Sequence, residues 1–350
     1  MKKKIYFGTN LKMYKGNNEV IHYLSELGKL YKQHIQNNNI ELFVIPSYTA
    51  LSDATRLAND ELDNLVIGAQ NMCHADSGQF TGEISPVMLK ELNVKLVMIG
   101  HSERRHIFKE TDLEENKKVL AALKHQFITL LCIGETLEQK EYSISDEILR
   151  MQLKIGLHNV TKEQIPLIRV AYEPVWAIGE AGIPASAEYA ENKHAVIKQC
   201  LSEMFGEVGL DIPVLYGGSV NPTNANELIN KQHIDGLFIG RSAWNAANFI
   251  QLMKNALEAL SQNNQYQNNE FATTASKLIE YLGGKQNIVA LTHCATRIRV
   301  VLHNPENIDK NKIEKLPLVK GLFSISNQYQ IILGKDIVSM VHSQMQIQMP

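Results

Sequence analysis

LIRVAYEPVWAIG, Leu167 to Gly179, runs an apolar, β-branched segment into a carboxylate, a proline and a glycine. The apolar part has strand length, and Pro174 and Gly179 end regular structure. Glu173 therefore stands where a strand gives way to a loop, which is where proton abstraction places its base. A surface glutamate at a strand exit has the same local sequence, so the rest of the chain must decide. The same unit, an apolar strand followed by a longer helical pattern, is read eight times between the start and about residue 260. The strands fall at Ile5–Phe7, Leu42–Ile45, Leu65–Gly68, Leu96–Ile99, Ile128–Cys132, Leu167–Ala171, Val214–Tyr216 and Gly236–Ile239. Helical spacing lies between them, as in Val20–His34, Leu113–His125, Ala187–Phe205 and Asn245–Leu260. Eight strict alternations over about 250 residues predict an α/β fold closed into a (β/α)8 TIM barrel. An open doubly wound sheet would place G-x-G-x-x-G after its first strand, where this chain reads Gly8-Thr9-Asn10-Leu11-Lys12-Met13.

The chain has 350 residues, 44% of them hydrophobic and 21% charged, enough for one large domain and a small one. The last 80 residues hold 9 Lys+Arg against 5 Asp+Glu, leaving 26 against 32 before them. That change of sign places a domain boundary near residue 270, yet it is too mild for a nucleic-acid-binding stripe. SQNNQYQNNE, 261–270, is polar and without hydrophobic periodicity, and reads as a linker between a barrel over 1–260 and a module over 271–350. In that module a helix over Phe271–Leu282 ends at Gly283-Gly284, strands are read at 288–292, 297–302, 321–325 and 329–333, and helices at 308–316 and 337–345. This is a small α+β unit with its own apolar set. Cys73, Cys132, Cys200 and Cys294 show no paired metal spacing, so no metal or cofactor is expected and a reducing cytoplasm fits. No apolar run approaches membrane-spanning length, so no direct membrane insertion is expected.

Active sites of such barrels lie at the C-terminal ends of the strands, so the polar residues there carry the chemistry. They are Asn10 and Lys12 after the first strand, GHSERR (100–105) after the fourth, Glu173 after the sixth, and Gly217-Gly218-Ser219 and Gly240 after the last two. A cation, an imidazole and a carboxylate from three strands form an acid/base set, and glycine turns let backbone N–H groups approach a phosphate. Singly, each has a bland counterpart: a structural histidine, a solvated lysine, a tight turn. Their coincidence at four strand ends favours a site.

NLKM (10–13), AQN (69–71), FTGEIS (80–85), IGHSERR (99–105), CIGETLE (132–138), AYEPVWAIG (171–179), YGGSV (216–220) and DGLFIG (235–240) resemble, in order, the triosephosphate isomerase family. The resemblance covers nearly all of residues 1–260. It implies that Glu173 takes a proton from the carbon beside a carbonyl, with neutral His101 polarising that oxygen, an assignment that belongs to this family. It also implies that Lys12, with Asn10 beside it, steadies the enediolate, and that Glu103 positions Lys12 by an ion pair. Backbone N–H groups of Gly179, Ser219 and Gly240 would hold the phosphate of a small phosphorylated sugar, and the loop over 175–182 would close over it. Gln70 to Glu83, with Thr81, resembles the loop by which members form homodimers. Departures cluster near the substrate: Leu11 and Tyr14 replace the usual Trp and Asn, Glu180 to Pro184 replaces Thr-Gly-Lys-Thr-Ala, and Arg241 replaces a second glycine. Arg241 would either swing outward or reach a longer or more anionic substrate.

In THCATRIRV, 292–300, Cys294 precedes a strand on which Arg297 and Arg299 share one face. Two guanidinium groups near a thiol favour thiolate and bind phosphoryl groups, although buried cysteines and basic edge strands are common for other reasons. YLGGKQNIVALTHCATRIRV (281–300), VKGLFSI and YQIILG resemble the glucose-family EIIB domain of the bacterial sugar phosphotransferase system. The resemblance implies that Cys294 receives a phosphoryl group from an EIIA partner, supported by Arg297 and Arg299, and passes it to a sugar on a separate EIIC subunit. Together the readings predict a sugar-phosphate aldose-ketose isomerase, foremost for glyceraldehyde 3-phosphate and dihydroxyacetone phosphate through an enediol, with a phosphocysteine tail. The alternatives are an isomerase of a four-carbon sugar phosphate, and a sensor or phosphotransfer protein with a non-catalytic barrel.

Overall fold

Eight strands, β1 (Ile5–Asn10), β2 (Ile40–Ile45), β3 (Leu65–Ala69), β4 (Leu96–Ile99), β5 (Ile128–Ile133), β6 (Ile168–Tyr172), β7 (Val214–Tyr216) and β8 (Gly236–Ile239), are hydrogen-bonded in chain order. β1 pairs in parallel with both β2 and β8, which closes the barrel. The structure is a computed structural model that describes residues 4–35, 39–61, 65–179, 182–325, 327–335 and 337–349, without the side chains of 59–61. Glu180 and Ala181, singled out in the sequence, lie outside the described residues.

Strand side chains alternate between two cores, as a pleated strand requires. Tyr6, Phe43, Ile45, Leu96, Met98, Leu130, Cys132, Ala171, Leu215 and Phe238 fill the barrel interior. Phe7, Leu42, Val44, Val97, Ile99, Leu131, Val170, Tyr172, Val214, Leu237 and Ile239 face the helices instead. With both faces buried, the strands read as apolar runs, and this is why they are legible without a clean polar alternation. The floor of the barrel is polar: Arg169 donates to Glu41 at 3.3 Å through both Nε and Nη2, and Lys4 reaches the same carboxylate at 2.9 Å. Those ionic groups sit at the N-terminal end, opposite the strand ends that bear the chemistry.

Behind β6 and β7, His194 of helix Ala187–Phe205 is fully buried, with its ring edge-on to Tyr172 at 5.7 Å. Burial pushes its imidazole down to about 3. The folded state therefore stays unprotonated where the unfolded chain, near pH 6.5, takes up a proton. Stability should fall as pH drops from about 6.5 toward 3, by up to about 1.4 kcal/mol per pH unit from this group. Denaturant titrations of wild type and His194→Gln at pH 7 and pH 5 check this. A difference in stability between the two proteins that is the same at both pH values would contradict it.

Contacts between Cα atoms divide the chain into Met1–Leu260 and Ser261–Pro350. In the second unit β9 (Ile288–His293), β10 (Arg297–Leu302), β11 (Gly321–Ile325) and β12 (Gln328–Ile332) form an antiparallel sheet of order β11-β12-β10-β9. Ile298, Val300, Leu302, Tyr329 and Ile331 pack on Leu278, Leu282, Ile313, Val338, Val341 and Met345, while Arg297 and Arg299 occupy the other face. The stretch 261–270, expected as a polar linker, is helical. It lies inside one helix, Ala246–Tyr281, whose side chains over 261–270 are largely exposed. Neither glycine nor proline interrupts that helix before Gly283 and Gly284, both at positive φ, so polarity alone did not break it.

Candidate functional site

Lys12, His101 and Glu173 follow β1, β4 and β6 and converge at one end of the barrel. Lys12 sits at φ +52°, a left-handed conformation uncommon for lysine. Two bonds hold it there: its N–H donates to Asn10 Oδ1 at 2.8 Å, and Gln70 Nε2 donates to its carbonyl at 2.7 Å. Gln70 also donates to Asn10 Oδ1 at 3.2 Å, so a residue singled out only for its place in the dimer loop is built into the site. Lys12 Nζ meets Glu103 Oε1 at 2.6 Å.

His101 caps the short helix Ser102–His106 with its side chain. Its Nδ1 accepts the N–H of Glu103 at 3.2 Å. A ring nitrogen that accepts cannot carry the proton, so the neutral ring presents Nε2–H. Nε2 lies 3.6 Å from Glu173 Oε1, and Glu173 Oε2 accepts the N–H of Ser102 at 3.1 Å. Glu173 is almost wholly buried, and its backbone N–H donates to Ile133 O at 2.7 Å. A methyl on Gly134 would stand 1.8 Å from the carbonyl oxygen of Glu173, so glycine there is what allows β5 to approach this turn. Burial, reinforced by the Glu173 carboxylate, raises the Cys132 thiol well above its usual range. The pair offers a base and a neutral hydrogen-bond donor at one place, with an ammonium nearby, which suits proton transfer beside a carbonyl.

Glu135 was missed. It is fully buried and accepts from Tyr172 Oη at 3.1 Å, Trp176 Nε1 at 2.9 Å and Tyr189 Oη at 2.8 Å. Its carboxylate thus fixes the first turn of the loop after Glu173. The available signal was an acidic residue directly after β5, at the chemical end of the barrel.

Among the described residues, the N–H groups of Gly179, Ser219 and Gly240 donate to no protein acceptor, while Gly217 N–H is taken by Tyr172 O at 2.8 Å. Arg241 Nη2 donates to Gly179 O at 3.0 Å. Leu11 is buried, and Tyr14 stacks on Trp244 with ring centroids 4.5 Å apart. The segment 70–83 closes through Cys73 N–H to Ile84 O at 2.8 Å and leaves Phe80 and Thr81 exposed. Among the described residues no group of three or more His, Cys, Asp or Glu side chains is placed to hold a metal.

In the tail Cys294 lies in the turn between β9 and β10, partly exposed. Its thiol is held below its usual range first by the backbone N–H of Thr296, then that of Arg297, with the guanidinium groups of Arg299 and Arg297 adding less. The sequence pointed to the guanidinium groups, and the turn geometry contributes more. Arg297 Nη1 donates to Gln330 Oε1 at 2.9 Å. His293 and His342 approach with ring centroids 4.5 Å apart.

A family model described as triosephosphate isomerase matches residues 5–256. The chain belongs to the triosephosphate isomerase family. Similar proteins named L-erythrulose-1-phosphate isomerase occur in Rhizobium etli, 41% identical over 75% of this chain and 96% of that one, and in Mesorhizobium japonicum, 44% identical over 73% and 98%. A crystal structure of triosephosphate isomerase from Bartonella henselae superposes with a TM-score of 0.64 at 33% identity, covering 72% of this chain and 98% of that one. A second family model, phosphotransferase system EIIB, matches residues 276–309. The chain is therefore an isomerase of the triosephosphate isomerase family carrying an EIIB domain. No helix among the described residues is long and apolar enough to cross a membrane.

Proposed function

We propose that the barrel isomerises a four-carbon ketose phosphate, L-erythrulose 1-phosphate, by an enediol mechanism. The observation that carries this reading is the juxtaposition of buried Glu173 with the Nε2–H of His101, 3.6 Å apart, in a chain whose relatives bear that substrate in their name. L-Erythrulose 1-phosphate has its ketone at C2 and its phosphate ester on C1. A proton removed from C1 would give an enol whose oxygen is esterified and cannot collapse to an aldehyde. Glu173 therefore takes the proton from C3. Lys12 and His101 meet the oxygen charge that develops at C2, where a donor set in advance costs no reorganisation. His101 passes a proton between the C2 and C3 oxygens, and Glu173 returns its proton to C2. The ketone then stands at C3, and the product is an erythrulose 4-phosphate. The substrate differs from dihydroxyacetone phosphate by one hydroxymethyl group on the carbon that Glu173 attacks, so the same groups serve both.

Asn10 supports this role by holding Lys12, and Glu103 by pairing with it. The three amides of Gly179, Ser219 and Gly240 take the phosphate, as unpaired N–H groups at glycine turns do. Exposed Phe80 and Thr81, on a loop pinned at its base, support a homodimer through Gln70–Glu83. In the tail, Cys294 is the phosphoryl acceptor, served by an EIIA partner and delivering to a separate EIIC protein, with Arg297 and Arg299 beside it. The three-carbon reading is the second one, favoured by the Bartonella henselae structure. Steady-state assays with purified protein separate them. The proposal expects kcat/KM for L-erythrulose 1-phosphate at least about tenfold above that for glyceraldehyde 3-phosphate, a difference of the size one substrate group supplies. The reverse ratio would establish the three-carbon reading.

A further inference from the structure

Every arginine of the barrel other than Arg241 is paired with a carboxylate among the described residues. Arg56 pairs with Asp53, Arg104 with Glu110, Arg105 with Asp112 and Glu115, Arg150 with Glu203, and Arg169 with Glu41. Among the described residues Arg241 meets only the Gly179 carbonyl, through Nη2 at 3.0 Å. It follows Gly240 directly, and it touches Gly179, so it is joined to two of the three residues whose backbone N–H groups donate to no protein acceptor among the described residues. A guanidinium has five N–H donors in a rigid fork, and one bond to a neutral carbonyl leaves most of them for an anion.

We propose that Arg241 binds the phosphate of the substrate, so that this site joins a guanidinium to the backbone amides. The ligand class is a dianionic phosphomonoester, and inorganic phosphate is its smallest probe. The Gly179 carbonyl acts as a strut that holds the guanidinium over the site before the phosphate arrives, which lowers the ordering cost of a long side chain. Charge-assisted, forked contacts of this kind are the strong ones for phosphate, and a glycine at the same position cannot make them. The Arg297 and Arg299 pair of the tail repeats the pattern: they too lack a carboxylate partner among the described residues, and both lie on β10, the strand that follows Cys294.

This inference rests on the proposal that the barrel handles a sugar phosphate, and its test is read without turnover. Inorganic phosphate is titrated into the full-length protein and followed by 31P NMR, for wild type, Arg241→Gln and Arg241→Lys. Glutamine carries no charge and is two bonds too short to donate to the Gly179 carbonyl from where Nη2 does, whereas lysine restores the charge without the fork. Arg241→Gln should bind phosphate about ten- to hundredfold more weakly, and Arg241→Lys should recover part of that loss. Unchanged phosphate affinity in Arg241→Gln would overturn the assignment, and so would equal losses in the glutamine and lysine variants, because then only the strut matters. In steady-state assays on the substrate that turns over, the glutamine variant should raise KM by more than it lowers kcat. A fall in kcat with KM unmoved would also overturn it. Should no tetrulose phosphate be turned over while phosphate binding still depends on Arg241, the substrate proposal fails and this one stands.

Discussion

Glu173→Gln should lower kcat about 10²- to 10⁴-fold while leaving KM and thermal stability close to wild type. Glutamine keeps the shape of the side chain and an oxygen able to accept the Ser102 N–H that Glu173 Oε2 now accepts at 3.1 Å. What it removes is the base. On the proposed mechanism ground-state binding rests on other groups, the backbone amides and Lys12, so the loss should fall on the chemical step. Glu173→Asp keeps the charge but draws the carboxylate back from its place 3.6 Å from His101 Nε2, and kcat should fall here too. A glutamine variant with wild-type turnover, or one that fails only through raised KM, would remove Glu173 from the reaction.

Cys294→Ser should abolish phosphoryl transfer to the tail. The thiol of Cys294 is held below its usual range, first by the N–H of Thr296 and then by that of Arg297, and a thiolate is the nucleophile. A serine hydroxyl in the same turn stays protonated at neutral pH and is a far weaker nucleophile. Incubation with phosphoenolpyruvate and the general phosphotransferase proteins should place a thiol-linked phosphate on wild type and none on the variant, read by mass spectrometry of the intact chain. Arg299→Ala should be labelled more slowly, since on the proposed reading its guanidinium meets the phosphoryl group, while the thiolate owes more to the backbone N–H groups. Equal labelling of the serine variant would place the acceptor elsewhere.

The barrel was legible because each parallel strand is buried on both faces and ends in a glycine, a proline or a polar residue, so Leu96–Ile99, Val214–Tyr216 and Gly236–Ile239 could be bounded to the residue. The tail strands Arg297–Leu302 and Gly321–Ile325 were legible for a different reason, the turn residues on either side of them. The helical conformation of the polar segment 261–270 was not legible because helix formation there needs no apolar face of its own once residues on both sides are helical and no breaker intervenes. Within the site, Lys12, His101 and Glu173 stood out as ionisable residues just after strand ends. Gln70 and Glu135 did not, because their work is to hold other groups: Gln70 the backbone of Lys12, Glu135 the indole of Trp176. Such partners are fixed by tertiary distance, which local sequence does not encode. The same holds for the bond from Arg241 to Gly179, which joins residues 62 positions apart.

On the proposed mechanism Glu173 moves a proton between C3 and C2 of a four-carbon ketose phosphate. L-Erythrulose 1-phosphate incubated with the full-length protein in D2O and followed by 1H and 13C NMR tests it directly. The expected product is an erythrulose 4-phosphate that carries deuterium on the former C2, with none on the phosphate-bearing carbon. No isomerisation of this ketose by a preparation that turns over glyceraldehyde 3-phosphate, or deuterium entering at the phosphate-bearing carbon, would contradict it.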